Sequence, residues 1–246
     1  MKNDRKHYYL IDGIRGFAIL NMVLFHFLYD VNIVYGKCPH WYTYPTVHIW
    51  QQFICFSFIF ISGISFHFSH RNLKRGLLLN FYGIAITVIT LLFLPSETIW
   101  FGILNFIGCA ILLLCLLEKL LKKFPPIPGL LSAILLFILT YHIEDGYIGF
   151  STYPFIAIPK FFYQIPIFTI FGFPFPQFVS SDFFPIFPWF FLFLTGYWFW
   201  LLLTGKERIL SLAEYKIPFL SSLGSISIWV YLLHQPLSIL ICEILF

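Results

Sequence analysis

The feature that most constrains this chain is a stripe of ionisable residues in its first hydrophobic segment, Ile14 to Val34, with its immediate approach: Asp12, Arg15, His26 and Asp30. At about 100° per residue, these four fall within an arc of about 60° on a helix. Ala18, Leu20, Val23, Leu24 and Phe27 cover the remainder. A charge placed centrally in a membrane span costs roughly 2.5 to 3.5 kcal/mol, so such groups normally line a pathway or a reaction site. The expectation is chemistry inside a membrane.

Composition supports membrane residence, since 59% of residues are hydrophobic and only 11% are charged, with a mean hydropathy of +0.85. Apolar runs of about 20 residues read as spans, approximately over residues 13 to 35, 47 to 68, 76 to 94, 99 to 117, 127 to 143, 184 to 203 and 219 to 244. The predicted fold class is therefore all-α, a polytopic bundle of about seven transmembrane helices. It is read as one domain over residues 1 to 246, with no internal repeat.

Basic residues set the expected orientation. Lys2, Arg5 and Lys6 precede the first span; Arg71, Lys74 and Arg75 follow the second; Lys119, Lys122 and Lys123 follow the fourth; Lys206, Arg208 and Lys216 follow the sixth. The other side has only Lys37 and Lys160, with Asp30, Glu97, Glu144, Asp145 and Asp182. By the positive-inside rule the N-terminus is cytoplasmic and the C-terminus outside. That bias accounts for the basic balance, so the expected partner is lipid and not nucleic acid. The first span lacks a cleavage pattern and is expected to remain as a helix.

Residues 144 to 184 differ from the rest, with Pro154, Pro159, Pro166, Pro174 and Pro176 among Phe161, Phe162, Tyr163 and Phe175. Such proline density excludes a continuous helix. An extracytoplasmic cap, interfacial or re-entrant, is expected there. The five cysteines have no C-x-x-C spacing, and a Cys38 to Cys242 bridge is conceivable because both lie near the outer side. His142, Glu144 and Asp145 cluster without a metal-ligand spacing, so no metal is expected.

The last hydrophobic segment carries a second stripe, Ser227, Tyr231, His234 and Ser238, with Pro236 beside it. Counted from the cytoplasmic ends, His26 and His234 both lie about 20 Å deep, and Asn105 of the oppositely directed fourth helix arrives at a similar level. Asp30, one turn beyond His26, is placed to bond an imidazole nitrogen. Blander readings compete: Arg15 paired with Asp12 at the interface, or His234 as an interhelical hydrogen bonder. Ser62, Gly63 and Ser65 read as close-packing small residues. No P-loop or G-x-G-x-x-G occurs, and no Lys in the last segment suits a retinal Schiff base.

The run "LIDGIRGFAILNMVLFHFLYD" resembles the first helix of the transmembrane acyltransferase superfamily, in which an Arg, ten intervening residues and a His recur; here these are Arg15 and His26. "FISGISF" (60 to 66), "FGILNFIGCAILLL" (101 to 114), "SSDFFPIFPWFFLFLTG" (180 to 196) and "LGSISIWVYLLHQP" (223 to 236) resemble the bacterial branch with a heparan-α-glucosaminide N-acetyltransferase catalytic domain. Asn105 stands where relatives often carry His, and an amide carries no proton at neutral pH.

The resemblance implies acyl transfer from cytoplasmic acetyl-CoA, or another acyl-CoA, to a hydroxyl or amine of an extracytoplasmic glycan, in a multi-pass protein of the cell membrane. Arg15, paired with Asp12 and helped by the nearby basic loops, would hold CoA phosphates. His26, oriented by Asp30, would be the general base, and His234 or Tyr231 would donate to the developing oxyanion. Asn105 would contribute a hydrogen bond, while Asp182 and Trp189 would hold the sugar. A transporter or flippase using the same stripe is the alternative. The acceptor, and whether the protein is a homo-oligomer, are left open by the sequence.

Overall fold

The computed structural model describes residues 7 to 246. Lys2, Arg5 and Lys6, which entered the orientation argument, lie outside the described residues. The helices are α1 (Tyr9–Tyr29), α2 (Pro45–Ser65), α3 (Asn72–Phe93), α4 (Ile103–Leu121), α5 (Pro126–Thr140), α6 (Ile186–Leu203), α7 (Glu207–Ala213), α8 (Pro218–Ser225) and α9 (Ser227–Leu245). An antiparallel hairpin, β1 (Tyr147–Phe150) and β2 (Tyr153–Ala157), is the only sheet among the described residues. Among the described residues, six helical segments are long and apolar enough to cross a membrane: Tyr9–Val34, Pro45–Phe68, Asn72–Phe93, Ile103–Leu121, Ile186–Leu203 and Ser227–Leu245. The protein is an all-α polytopic membrane bundle.

Two of the seven expected spans differ in detail. α5 has 15 residues, about 22 Å of helix against a hydrocarbon core of about 30 Å. The last expected span is broken at Ile226 (φ −104°, ψ 13°) into α8 and α9. The cause is the run of small hydroxyl residues: Ser222 Oγ donates to the Pro218 carbonyl at 2.7 Å and Ser225 Oγ to the Ser222 carbonyl at 2.7 Å. Such bonds compete with helix propagation.

The chain divides into two compact units, residues 1–61 with 203–246, and residues 62–202. In the first, α1 packs on α8 with backbones nearly touching. A Cβ at Gly16 would stand 1.9 Å from the Leu220 carbonyl oxygen, and one at Gly224 only 1.8 Å from that of Asp12. Small residues at such crossings let membrane helices approach closely. Ser221 Oγ donates to the Tyr9 carbonyl at 2.9 Å, fixing the same end of α1. Further along, Ile19, Met22 and Phe25 of α1 pack with Val47 and Ile54 of α2 in a core flanked by Trp50 and Tyr231. Trp50 Nε1 donates to Asn21 Oδ1 at 3.0 Å, which fixes the rotation of α1 against α2.

In the second unit α3 and α4 pair through glycines, Gly76 and Gly83 on α3 and Gly108 on α4, each lacking room for a Cβ. Gly63 lies against α6, where a Cβ would be 2.0 Å from the Phe193 carbonyl oxygen; the small residues of "FISGISF" serve close packing. The cap region is non-helical apart from 3-10 turns at Lys160–Gln164 and Pro166–Phe171. Its last residues are stitched to the start of α4: Ser181 N–H donates to the Thr98 carbonyl at 3.2 Å and Phe184 N–H to the Phe101 carbonyl at 3.1 Å. Cys38, Cys55, Cys109, Cys115 and Cys242 are all free thiols, so the conceivable Cys38–Cys242 bridge is absent.

Candidate active site

α1 and α9 bring His26 and His234 together inside the first unit. Their ring centroids are 4.9 Å apart at 61°, although the two residues lie 208 positions apart in the chain. His26 also meets Phe25 edge-on at 6.0 Å, so the packing of Phe25 into the α1–α2 core sets where the imidazole stands. Both histidines are half-buried.

The tautomer of His234 follows from its partner. Nδ1 lies 2.5 Å from the Tyr231 carbonyl oxygen, and a carbonyl only accepts, so Nδ1 carries the proton in the neutral ring. Nε2 is then a bare lone pair, and it is buried without a hydrogen-bond partner. In this tautomer Nε2 is an acceptor, whereas the expectation from sequence is that His234 or Tyr231 donates to an oxyanion. Tyr231 supplies that carbonyl, and its ring sits 5.5 Å from the His234 ring.

Asp30 takes a different place from the one expected. The carboxylate is 1% exposed and accepts from Gln235 Nε2 at 2.9 and 3.1 Å and from Ser238 Oγ at 2.5 Å. It does not sit behind His26; it ties α1 to α9 immediately beside His234. The backbone keeps its register here: Asp30 N–H donates to the His26 carbonyl, and the π-turn over Asp30–Val34 begins only there; it is the carboxylate that is held on α9, by the Gln235 and Ser238 donors. Gln235 was missed in the sequence, where an intramembrane amide between His234 and Pro236 was the available signal.

At the opposite end of α1, Arg15 Nη1 donates to Asp12 Oδ1 at 2.9 Å, and His7 Nε2 meets Asp12 Oδ2 at 2.7 Å. The glycines Gly13 and Gly16 on either side of Arg15 hold this turn against α8.

The three remaining expected site residues belong to the second unit and are each engaged there. Asn105 is buried, packs on Gly83 and donates to the Asn80 carbonyl at 3.4 Å, so it is a seam residue of α3 and α4. Trp189 is 8% exposed and packs against Phe184, Phe137 and Tyr141. Its indole lacks the open face that sugar stacking requires. Asp182 Oδ2 accepts from Ile103 N–H at 3.2 Å, capping α4, whose N-cap Gly102 has no side chain to do so. Removal from water pushes the Asp182 carboxyl up to about 6, opposed by the Ile103 hydrogen bond. Among the described residues, no group of three or more His, Cys, Asp and Glu side chains is placed to hold a metal.

The fold and the site define a polytopic membrane protein with a histidine pair held between two of its helices. The family model described as heparan-alpha-glucosaminide N-acetyltransferase, catalytic, matches residues 7–236, and the chain belongs to that family. It is accordingly a membrane-embedded acetyltransferase by family. Comparison with curated proteins and with solved structures gives no match.

Proposed function

We propose that the protein moves an acetyl group from acetyl-CoA at the cytoplasmic face to a hydroxyl or amine of a glycan on the other side of the cell membrane. The observation that carries this reading is the His26–His234 contact, with the Nε2 lone pair of His234 open and its proton held away at Nδ1.

His26 serves as general base. It takes the proton of the acceptor O–H or N–H as that atom attacks the thioester carbonyl, and returns it to the CoA thiolate as the C–S bond breaks. His234 Nε2 accepts a hydrogen bond from the protonated imidazole and so supports the charge that His26 gains, as a carboxylate does in other base pairs. Asp30 acts through position: its bonds to Gln235 and Ser238 fix the turn of α9 that carries His234. Arg15 is a rigid bidentate donor suited to phosphate. It stands about 16 Å along α1 from His26, eleven residues at about 1.5 Å each, and an extended pantetheine arm is the kind of chain that would bridge that distance.

Purified protein in lipid, supplied with acetyl-CoA and glycan acceptors, tests the reading. Transfer abolished in His26→Ala but not in a surface variant supports it. Folded His26→Ala with wild-type transfer overturns the assignment of the base, and Arg15→Ala with unchanged acetyl-CoA affinity overturns that of the donor site.

A further inference from the structure

The β1–β2 hairpin is apolar on the outside. Every residue of β2 is exposed, with Tyr153 at 69%, Phe155 at 60% and Ile156 at 61%, and Phe150 at the end of β1 is 43% exposed. Between Asp145 and Lys160 there is no charged residue. A water-facing hairpin alternates polar and apolar residues, and this one does not. Both faces of β2 present hydrocarbon: the pairing sets Tyr153 and Ile156 on one face and Pro154 and Ala157 on the other, with Phe155 the extra residue of a bulge opposite Ile148 and Gly149.

The base of the hairpin is fixed to the end of α5. Tyr147 stacks on His142 at 5.1 Å and 10°, Ile158 N–H donates to the Gly146 carbonyl at 2.8 Å, and Tyr163 donates its hydroxyl proton to the Ile143 carbonyl. α5 itself exposes Leu131, Leu135 and Ile138, an apolar flank that in a membrane protein faces lipid. That flank is short of a full span by about 8 Å, and the hairpin begins where it stops.

We propose that the β1–β2 hairpin is an interfacial anchor, embedded among the headgroups and upper acyl chains of the leaflet at which α5 ends. The partner is lipid, because the hairpin is fixed to the end of α5, whose exposed residues are apolar, and carries charge only at its base, Asp145 and Lys160. The depth is limited by the backbone: a two-stranded ribbon leaves outward N–H and C=O groups unpaired, which hydrocarbon does not satisfy. Pro154 removes one such donor from β2. Tyrosine and phenylalanine at this level are the residues of a membrane aromatic belt.

The test is photocrosslinking of the full chain in phosphatidylcholine and phosphatidylglycerol vesicles, with Phe155→p-benzoylphenylalanine and, on α5, Leu135→p-benzoylphenylalanine as the lipid-facing reference. Tyr153→p-benzoylphenylalanine serves if the first variant does not accumulate. The expected product is a lipid adduct at Phe155 in yield within about threefold of the Leu135 adduct, attached at the glycerol or upper acyl carbons. Three results overturn the proposal: a crosslink to a second copy of the chain in place of lipid, no lipid adduct while Leu135 gives one, or attachment near the acyl methyl ends.

Discussion

The state of His234 follows from one contact, its Nδ1 held at the Tyr231 carbonyl, and the consequences can be tested residue by residue. Removing the lone pair that faces His26 in His234→Ala should lower kcat by about 10² or more with a smaller change in KM, as expected for a group acting in the transition state. Asp30→Ala leaves the Gln235 amide and the Ser238 hydroxyl without their shared acceptor. It should cost about 1 to 2 kcal/mol in thermal unfolding and lower kcat through His234. Equal kcat in a folded Asp30→Ala protein would show that the tie does not position the imidazole. Asp182 gives a pH signature. Its folded value, about 6, lies above the ordinary 3.8, so the fold favours the protonated form, and stability from this group is lost as pH rises from about 4 to about 6. Asp182→Asn keeps an oxygen for Ile103 N–H and should flatten that part of the profile, read by thermal unfolding of both proteins across the range. At this level the sequence exposed Arg15–Asp12 and the two histidines, because helical spacing alone aligns them. It could not show that the Asp30 carboxylate bonds to α9, because its donors Gln235 and Ser238 lie 205 and 208 positions further along the chain.

Helix crossings explain why glycine recurs in the segments that carry the family resemblance. Gly16, Gly63, Gly108 and Gly224 all stand where a neighbouring backbone leaves no space for a Cβ. Gly224→Ala should push α8 off α1 and destabilise the protein by roughly 1 to 3 kcal/mol, the usual cost of overpacking. Gly13→Ala, whose Cβ would meet Ser221 Oγ at 3.4 Å, should be neutral or stabilising, since alanine gains about 1 kcal/mol over glycine within a helix. Reversal of that order in denaturation experiments would contradict the α1–α8 packing. Apolar runs located every helix except the short α7 (Glu207–Ala213), but helix ends were set by other means. α3 begins at Asn72 and includes Lys74 and Arg75, because Lys and Arg are good helix formers whatever their hydropathy. The split between α8 and α9 depends on serine side-chain bonds that an average over about 20 residues hides. The prolines correctly excluded a helix from residues 144 to 184, yet the hairpin within it has no polar alternation and so carried no strand signal.

For the whole molecule, orientation is the property on which transmembrane transfer depends. The basic clusters after α2, α4 and α6 share one side only if α5 crosses the membrane despite its 15 residues, and the positive-inside rule then puts the α1–α2 connection outside. Cys38, a free and partly exposed thiol in that connection, should react with an impermeant maleimide added to intact cells, and Cys38→Ser should remove that label. Labelling only after permeabilisation would invert the topology and with it the direction of transfer. The measurement that tests the central claim most directly uses inside-out vesicles carrying either the wild type or His26→Ala, with acetyl-labelled acetyl-CoA supplied outside. The account predicts label in luminal glycans for the wild type and a loss of about 10² or more for the variant. Equal labelling by folded His26→Ala, or acceptor movement across the membrane with no acetyl-CoA consumed, would contradict it.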